Sequence, residues 1–416
     1  MQNTTTANLH LIYQDDQDGY ATKLLPPPRL IDKLKACQIK VRNKLEQVLR
    51  QEYGIKPKFR VQGSFAYGTC NIPAQTDKGQ ELDLDYGAYL PVSVFTLNEE
   101  DQPNSAEEAK KYIEVVFEAL TELASENSGW SVEQKPSCIR ISGIAPYAHM
   151  DVPLYAVPND MFEDIQNQHQ LVTDSAQKSY KSLQERFESS SFSMESYDSA
   201  LNSEIYENES LIDLESIKMI HMAKDDGSWF PSDCEKVRDW FRRQCSIYPN
   251  GGRQLRFIAR YLKGWRDQQW EEKGPTSIVL MIATVKSYQY IQGRDDLALA
   301  KVTANLDTIL GNDIYVEDME DHEDEDFNRA NTHQRIENAQ AARRLHQDVT
   351  EAIKQGILAP NASIAFLKRS FGNRIPNDTS LIRFEHQSPQ VLVEDILQTQ
   401  STPRENSVRL QPQSSG

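Results

Sequence analysis

The chain has no stretch approaching the roughly 18 consecutive apolar residues that a membrane-spanning helix needs, so no transmembrane helix is expected. Its first residues, Met1 to His10, are polar and lack the basic start and apolar core of a signal peptide. Cysteine is scarce: five residues (Cys37, Cys70, Cys138, Cys234 and Cys245) are scattered among 416. With no CxxC pair and an odd total, they argue against a disulfide framework or a zinc site and for buried thiols in a reducing cytoplasm. Basic charge is short as well, with 45 Lys and Arg against 62 Asp and Glu, a formal charge of −17. A protein that grips long nucleic acid needs a basic surface to displace counterions, and no run here supplies one. A small anion neutralised by metal remains a plausible substrate; a long polyanion does not.

What is present is the composition of a globular protein, 38% hydrophobic and 26% charged, in a chain long enough for two packed lobes. Residues 1–28 read as an irregular lead-in closed by Pro26-Pro27-Pro28. Helical spacing of Leu30, Leu34, Ile39, Val41, Leu45 and Leu49 predicts a long helix over 29–52. Strands are predicted at 58–62, 81–90, 130–133, 138–143 and 149–155, with an amphipathic helix over 105–124 between them. Strands mixed with helices in this order indicate an α/β half built on a sheet. From 167 to 208 the chain is polar and poor in apolar residues, as a connector would be. Helical periodicity then returns at 233–246, 253–270, 277–291, 296–310, 331–355 and 362–371. An acidic run, Asp313 to Asp326, holds nine carboxylates. The division expected is a lead-in (1–28), a core with its long N-terminal helix (29–205), a helical lobe (206–396) and a flexible tail (397–416).

Three pieces carry chemistry. Gln62-Gly63-Ser64-Phe65-Ala66-Tyr67 is a strand ending in Gly-Ser where a helix should begin, a place where backbone and hydroxyl can approach phosphate. In Glu81-Leu82-Asp83-Leu84-Asp85, strand alternation sends both aspartates to one face and both leucines to the core. Two carboxylates at i and i+2 repel unless a cation lies between them, and Mg²⁺ prefers oxygen ligands. Asp151, in Ala148-His149-Met150-Asp151-Val152-Pro153, heads a further strand. Gly-Ser, a DxD strand and one later strand aspartate form the arrangement of polymerase-β-like nucleotidyltransferases.

The stretches QGSFAYGTCN, ELDLDYGAYLP, CIRISGIAPYAHMDVPLYAVP, DGSWFPSDCEKVRDWF, RFIARYLKGWRDQQW, GPTSIVLMIATV and FGNR resemble the bacterial CD-NTases. Within these, the chain is similar to the DncV-like branch of cyclic GMP-AMP synthases, relatives of cGAS, from about Lys58 to Gly372. The resemblance implies an α+β fold: a nucleotidyltransferase core with a mixed sheet, a helical C-terminal lobe and a nucleotide cleft between them. It implies synthesis of a cyclic di- or oligonucleotide from ATP and/or GTP, of the 3',3'-cyclic GMP-AMP kind, with pyrophosphate release. The setting it implies is anti-phage defence of the CBASS type, where a downstream effector senses the product.

Residue by residue, the resemblance places Asp83, Asp85 and Asp151 on metal positions that hold two Mg²⁺ ions, with Mn²⁺ as a substitute. It places Gln62, Gly63, Ser64 and Tyr67 on the nucleotide-contacting loop. Arg140, Ser232, Lys263 and Ser277 fall where base, sugar or phosphate is held, and Asp324 where a base is recognised. Locally, Ser232 and Ser277 also read as helix caps, and Trp265 as core. In CBASS systems with E1/E2-like accessory proteins the cyclase is joined through its C-terminal residue, which would make Gly416 a conjugation site. The loop 71–80 and the region 295–333 depart from the family pattern. Two other readings stay open: a template-independent transferase acting on RNA ends, and a catalytically silent nucleotide-binding or interaction protein on the same fold.

Overall fold

The computed structural model describes residues 5–163, 165, 219–232, 234–317 and 325–386. The predicted connector 167–208, Asp324 and the tail ending at Gly416 lie outside the described residues. Along the chain come β1 (Thr5–Asn8), α1 (His10–Gln14), α2 (Tyr20–Leu24), α3 (Pro28–Tyr53), β2 (Lys58–Gln62), α4 (Gly63–Ala66) and β3 (Leu82–Pro91). Next are α5 (Ala106–Ser125), β4 (Ser131–Lys135), β5 (Cys138–Ala145), β6 (Ala148–Val152), β7 (Leu154–Val157), β8 (Ile220–Ala223) and β9 (Trp229–Ser232). Six helices follow: α6 (Cys234–Ser246), α7 (Pro249–Gln269), α8 (Ser277–Ser287), α9 (Asp295–Gly311), α10 (Thr332–Gln355) and α11 (Pro360–Phe371). β10 (Arg383–His386) ends the series.

The helical periodicity of α3 puts Leu34, Cys37, Val41, Leu45 and Leu49 on one buried stripe. Each such side chain contributes about 1.5–3 kcal/mol of apolar burial. Gly54 closes the helix at φ +73°, the left-handed conformation a glycine adopts without Cβ strain. α5 starts where the Ser105 hydroxyl accepts from the Glu108 amide, and it buries Tyr112, Val116 and Leu120 beside α3. These two helices share a core with one face of an eight-stranded sheet whose order is β4-β5-β6-β3-β7-β8-β9, with β2 paired to the other edge of β3. Alternation along β3 turns Leu82, Leu84 and Tyr86 toward that core. The other face of β3 carries Asp83, Asp85, Gly87 and Tyr89.

The single strand expected over 149–155 is two strands. Pro153 interrupts the run, and β6 and β7 then pair in succession, both parallel to β3. A second departure lies past residue 205, where β8 and β9 extend the core sheet rather than joining the helices. The third is the lead-in. Residues 5–24 form β1, α1 and α2, with Leu9, Ile12, Tyr13, Tyr20, Ala21 and Leu24 fully buried. They pack on the helical lobe: Tyr13 lies 5.0 Å from the Tyr261 ring, and Tyr20 rests where Gly264 leaves space in α7. The Gln14 amide and the Tyr261 hydroxyl both donate to the buried Asp295. β1 also pairs antiparallel with β10, so segments near both ends of the described chain meet on this lobe.

Candidate functional site

Parallel pairing of β3 with β6 sets Asp83 beside His149 and Asp85 beside Asp151. The three aspartates predicted from sequence therefore share one face of the sheet. Antiparallel pairing of β5 with β6 adds Arg140 opposite Asp151. Arg140 spends its fork on that carboxylate, with Nε 2.8 Å from Oδ1 and a terminal nitrogen 2.7 Å from Oδ2. The guanidinium expected where base, sugar or phosphate is held is thus paired with the Asp151 carboxylate. His149 bridges two other acids: Nε2 lies 2.6 Å from Asp83 Oδ1 and Nδ1 2.7 Å from Glu81 Oε2.

These neighbours push the carboxyls apart. At Asp83, partial desolvation by the surrounding protein favours the neutral acid, but contact with His149 outweighs it and holds the group below its ordinary value. Asp85 goes the other way, raised to about 7 by burial and by repulsion from Asp83 and Asp151. Its charge lacks compensation, which suits a cation-binding carboxylate. The oxygen-rich donor set fits a hard divalent ion. No group of three His, Cys, Asp or Glu side chains is already set to enclose an ion among the described residues.

Gly63 begins the single turn α4 at φ +60°, and a Cβ there would collide with the Asp85 carboxylate. Glycine is required so that the loop can close over the aspartate. Gly63, Ser64, Tyr67, Asp83, Asp85, Lys263 and Ser277 all line one cavity of about 280 Å³ between the sheet and α7. Lys263 is buried, and its ammonium donates to the Thr69 carbonyl at 2.8 Å. Burial lowers it to about 8. The Trp265 side chain is core, as expected, lying edge-on to Trp270.

Other expected residues are placed elsewhere. The Gln62 side chain runs along the sheet over Gly87, donating to the Tyr89 hydroxyl and accepting from Tyr155 at 2.9 Å. That buried triad gives it a partner away from the aspartates. Ser232 ends β9 at the far edge of the sheet and is absent from the described cavity lining. Ser277 is the first residue of α8, but the cap is Thr276, whose hydroxyl accepts from the Val279 amide.

The sequence reasoning missed Glu81 and His149, and it missed Arg266 and Asp267 on the cavity wall. Arg266 pairs with Asp267 at 2.6 Å and donates to the Ser277 hydroxyl at 3.2 Å. The DxD alternation extended one step back would have found Glu81. His149 depends on strand register, which a local pattern does not disclose.

Comparison with known proteins bears on this arrangement. A family model described as "Cyclic GMP-AMP synthase DncV-like, nucleotidyltransferase domain" matches residues 57–155, and one described as "Cyclic GMP-AMP synthase, C-terminal domain" matches 252–384. A cyclic GMP-AMP synthase of Vibrio cholerae is 36% identical over 238 residues, covering 57% of this chain and 48% of its own. One from Escherichia coli is 35% identical over 256 residues, covering 61% and 52%. The chain thus spans about half the length of the curated relatives it matches. Crystal structures of Vibrio cholerae DncV share the fold. The complex with the linear intermediate 5' pppA(3',5')pG has a TM-score of 0.67 at 23% identity, covering 92% of this chain and 100% of that one. The complex with GTP and 5MTHFGLU2 has a TM-score of 0.68 at 24% identity, covering 91% and 99%.

Proposed function

Since the chain belongs to the DncV-like nucleotidyltransferases by both of its matched domains, we propose that it joins ATP and/or GTP into a cyclic dinucleotide of the 3',3'-cyclic GMP-AMP kind, releasing pyrophosphate. The observation that carries this reading is the convergence of Asp83, Asp85 and Asp151 on one sheet face, beside a cavity whose opposite wall presents Lys263. Nucleotidyltransferases of this type are in general metal-dependent, and Asp83, Asp85 and Asp151 would hold Mg²⁺, two ions by family resemblance. When bound, the chemistry such metal supplies is a lowered pKa for an attacking ribose hydroxyl and neutralised charge on the phosphates.

The protein's own contribution is position. The Gly63 turn lies against Asp85 and Ser64 lines the same cavity, where a nucleotide phosphate would meet the loop. Lys263 offers a point charge to triphosphate from the helical side. Ser277 and Arg266 extend the same wall. Arg140 holds Asp151 by both oxygens, fixing its orientation while each oxygen keeps a lone pair for a metal or a proton. Anti-phage defence is the biological setting that the family likeness supports.

The test is incubation of the protein with labelled ATP, GTP, CTP and UTP and Mg²⁺ or Mn²⁺, followed by phosphatase and separation. A phosphatase-resistant product that disappears in Asp83→Ala is expected, and omission of single nucleotides names the bases. Product formation unchanged in Asp83→Ala would overturn the reading. No product under any metal would leave a nucleotide-binding protein on this fold.

A further inference from the structure

Asp83 is the most exposed of the three aspartates, with 55% of its side chain accessible. An exposed carboxylate samples several staggered rotamers, and a ligand that wanders holds metal weakly. Asp83 nevertheless has a rigid neighbour. His149 is 3% exposed, and its Nε2 lies 2.6 Å from Asp83 Oδ1, a close contact without hydrogen-bond alignment. The ring is fixed from its other side by Glu81, whose Oε2 is 2.7 Å from Nδ1. It also lies 3.9 Å from Asp151 Oδ2. The parallel register of β3 and β6 underlies these contacts, because it places His149 directly beside Asp83. Glu81 itself lines the cavity.

We propose that Glu81 and His149 are positioning residues for the metal site, Glu81 orienting the imidazole through a hydrogen bond and the imidazole confining the Asp83 carboxylate by close contact with one oxygen. The other Asp83 oxygen makes no hydrogen bond among the described residues and is left for a ligand. Groups that hold a metal ligand from behind are part of such sites, and their removal typically weakens metal binding about 10- to 100-fold. A purely stabilising role is a poor account of Glu81. Its side chain is 38% exposed, and exposed ion pairs add little stability.

The inference rests on the metal reading above, so the test separates the two. Mn²⁺ is titrated into the full-length protein saturated with a non-hydrolysable ATP analogue, and free Mn²⁺ is read by electron paramagnetic resonance. Wild type should bind. Glu81→Ala should weaken binding about tenfold and His149→Ala at least as much. Glu81→Gln keeps an acceptor for the ring N–H and should recover most of the affinity. Melting temperatures without metal should show Glu81→Ala folded like wild type, so that variant keeps the test valid if His149→Ala misfolds. Wild-type binding with Glu81→Ala within twofold of it would overturn the positioning role alone. Absence of Mn²⁺ binding in wild type would overturn the metal reading and this inference with it.

Discussion

At the scale of single residues, the cleft opposes acids on the sheet to one buried amine on α7. Lys263 has its titration lowered to about 8, chiefly by burial. The sign follows from the direction of the shift. Below about pH 8 the amine is charged in both folded and unfolded protein, and the fold bears the cost of burying it. As pH rises from about 8 toward its ordinary value, the folded form sheds the proton first and stability is gained. Triphosphate reverses the balance by favouring the cation. Nucleotide affinity should therefore fall as pH rises above about 8, by at most about tenfold per pH unit, with proton uptake on binding. Calorimetry in buffers of different ionisation enthalpy at pH 8.5 would measure that uptake. Lys263→Gln should bind more weakly at neutral pH and lose the dependence; an unchanged pH profile in that variant would remove Lys263 from the phosphate site.

Elements decide how that amine is presented. The loop between the Gly-Ser turn and β3, already marked by sequence as unlike the family, welds the sheet to the end of α7. The Gln75 amide donates to the Asp267 carbonyl at 2.7 Å, and the Gln80 amide to the Trp270 carbonyl at 2.7 Å. These caps serve helix-terminal carbonyls that have no partner within the helix. Asn71 donates to the Arg260 carbonyl, Lys78 pairs with Glu271, and Arg374 reaches back to the Ile72 and Pro73 carbonyls. Replacing Gln75 and Gln80 together with alanine should cost about 1–3 kcal/mol. Because Lys263 and Arg266 lie just upstream, it should also raise the KM for nucleotide more than it lowers kcat. Equal losses in both, or neither, would show that the loop does not set the phosphate side of the cleft. Strand β3 was legible from sequence because Leu82 and Leu84 alternate with Asp83 and Asp85, a pattern complete within five residues. His149 was not, since its role exists only once β6 aligns with β3. Nor were β1, α1 and α2. Elements of four or five residues have little intrinsic stability and exist by tertiary burial, which leaves a weak local signal.

For the whole molecule, that hidden segment ties the chain together. Residues 5–24 pack on the helical lobe, and α3, which follows directly, packs under the sheet. The chain thus begins its described course in one lobe and passes to the other, and the Leu9 amide and the Ala7 carbonyl bond to Asp296 and Arg294 at the start of α9. Among the described residues no helix is long and apolar enough to cross a membrane. Leu9, Ile12, Tyr13, Tyr20 and Leu24 are each fully buried. At about 1.5–3 kcal/mol for each of Leu9, Ile12 and Leu24, burial of the aliphatic side chains alone is a large share of the stability of a typical domain, about 5–15 kcal/mol. Removing residues 1–24 would also strip the hydrogen bonds that Asp295 and Asp296 receive from Gln14 and the Leu9 amide, leaving buried carboxylates underserved. The truncated protein should be insoluble or should melt far below the full chain, with nucleotide binding lost because α7 carries Lys263. Thermal melting and nucleotide titration of the truncation test this together. A truncated protein that melts and binds like the full chain would mean that the helical lobe holds α7 in place unaided.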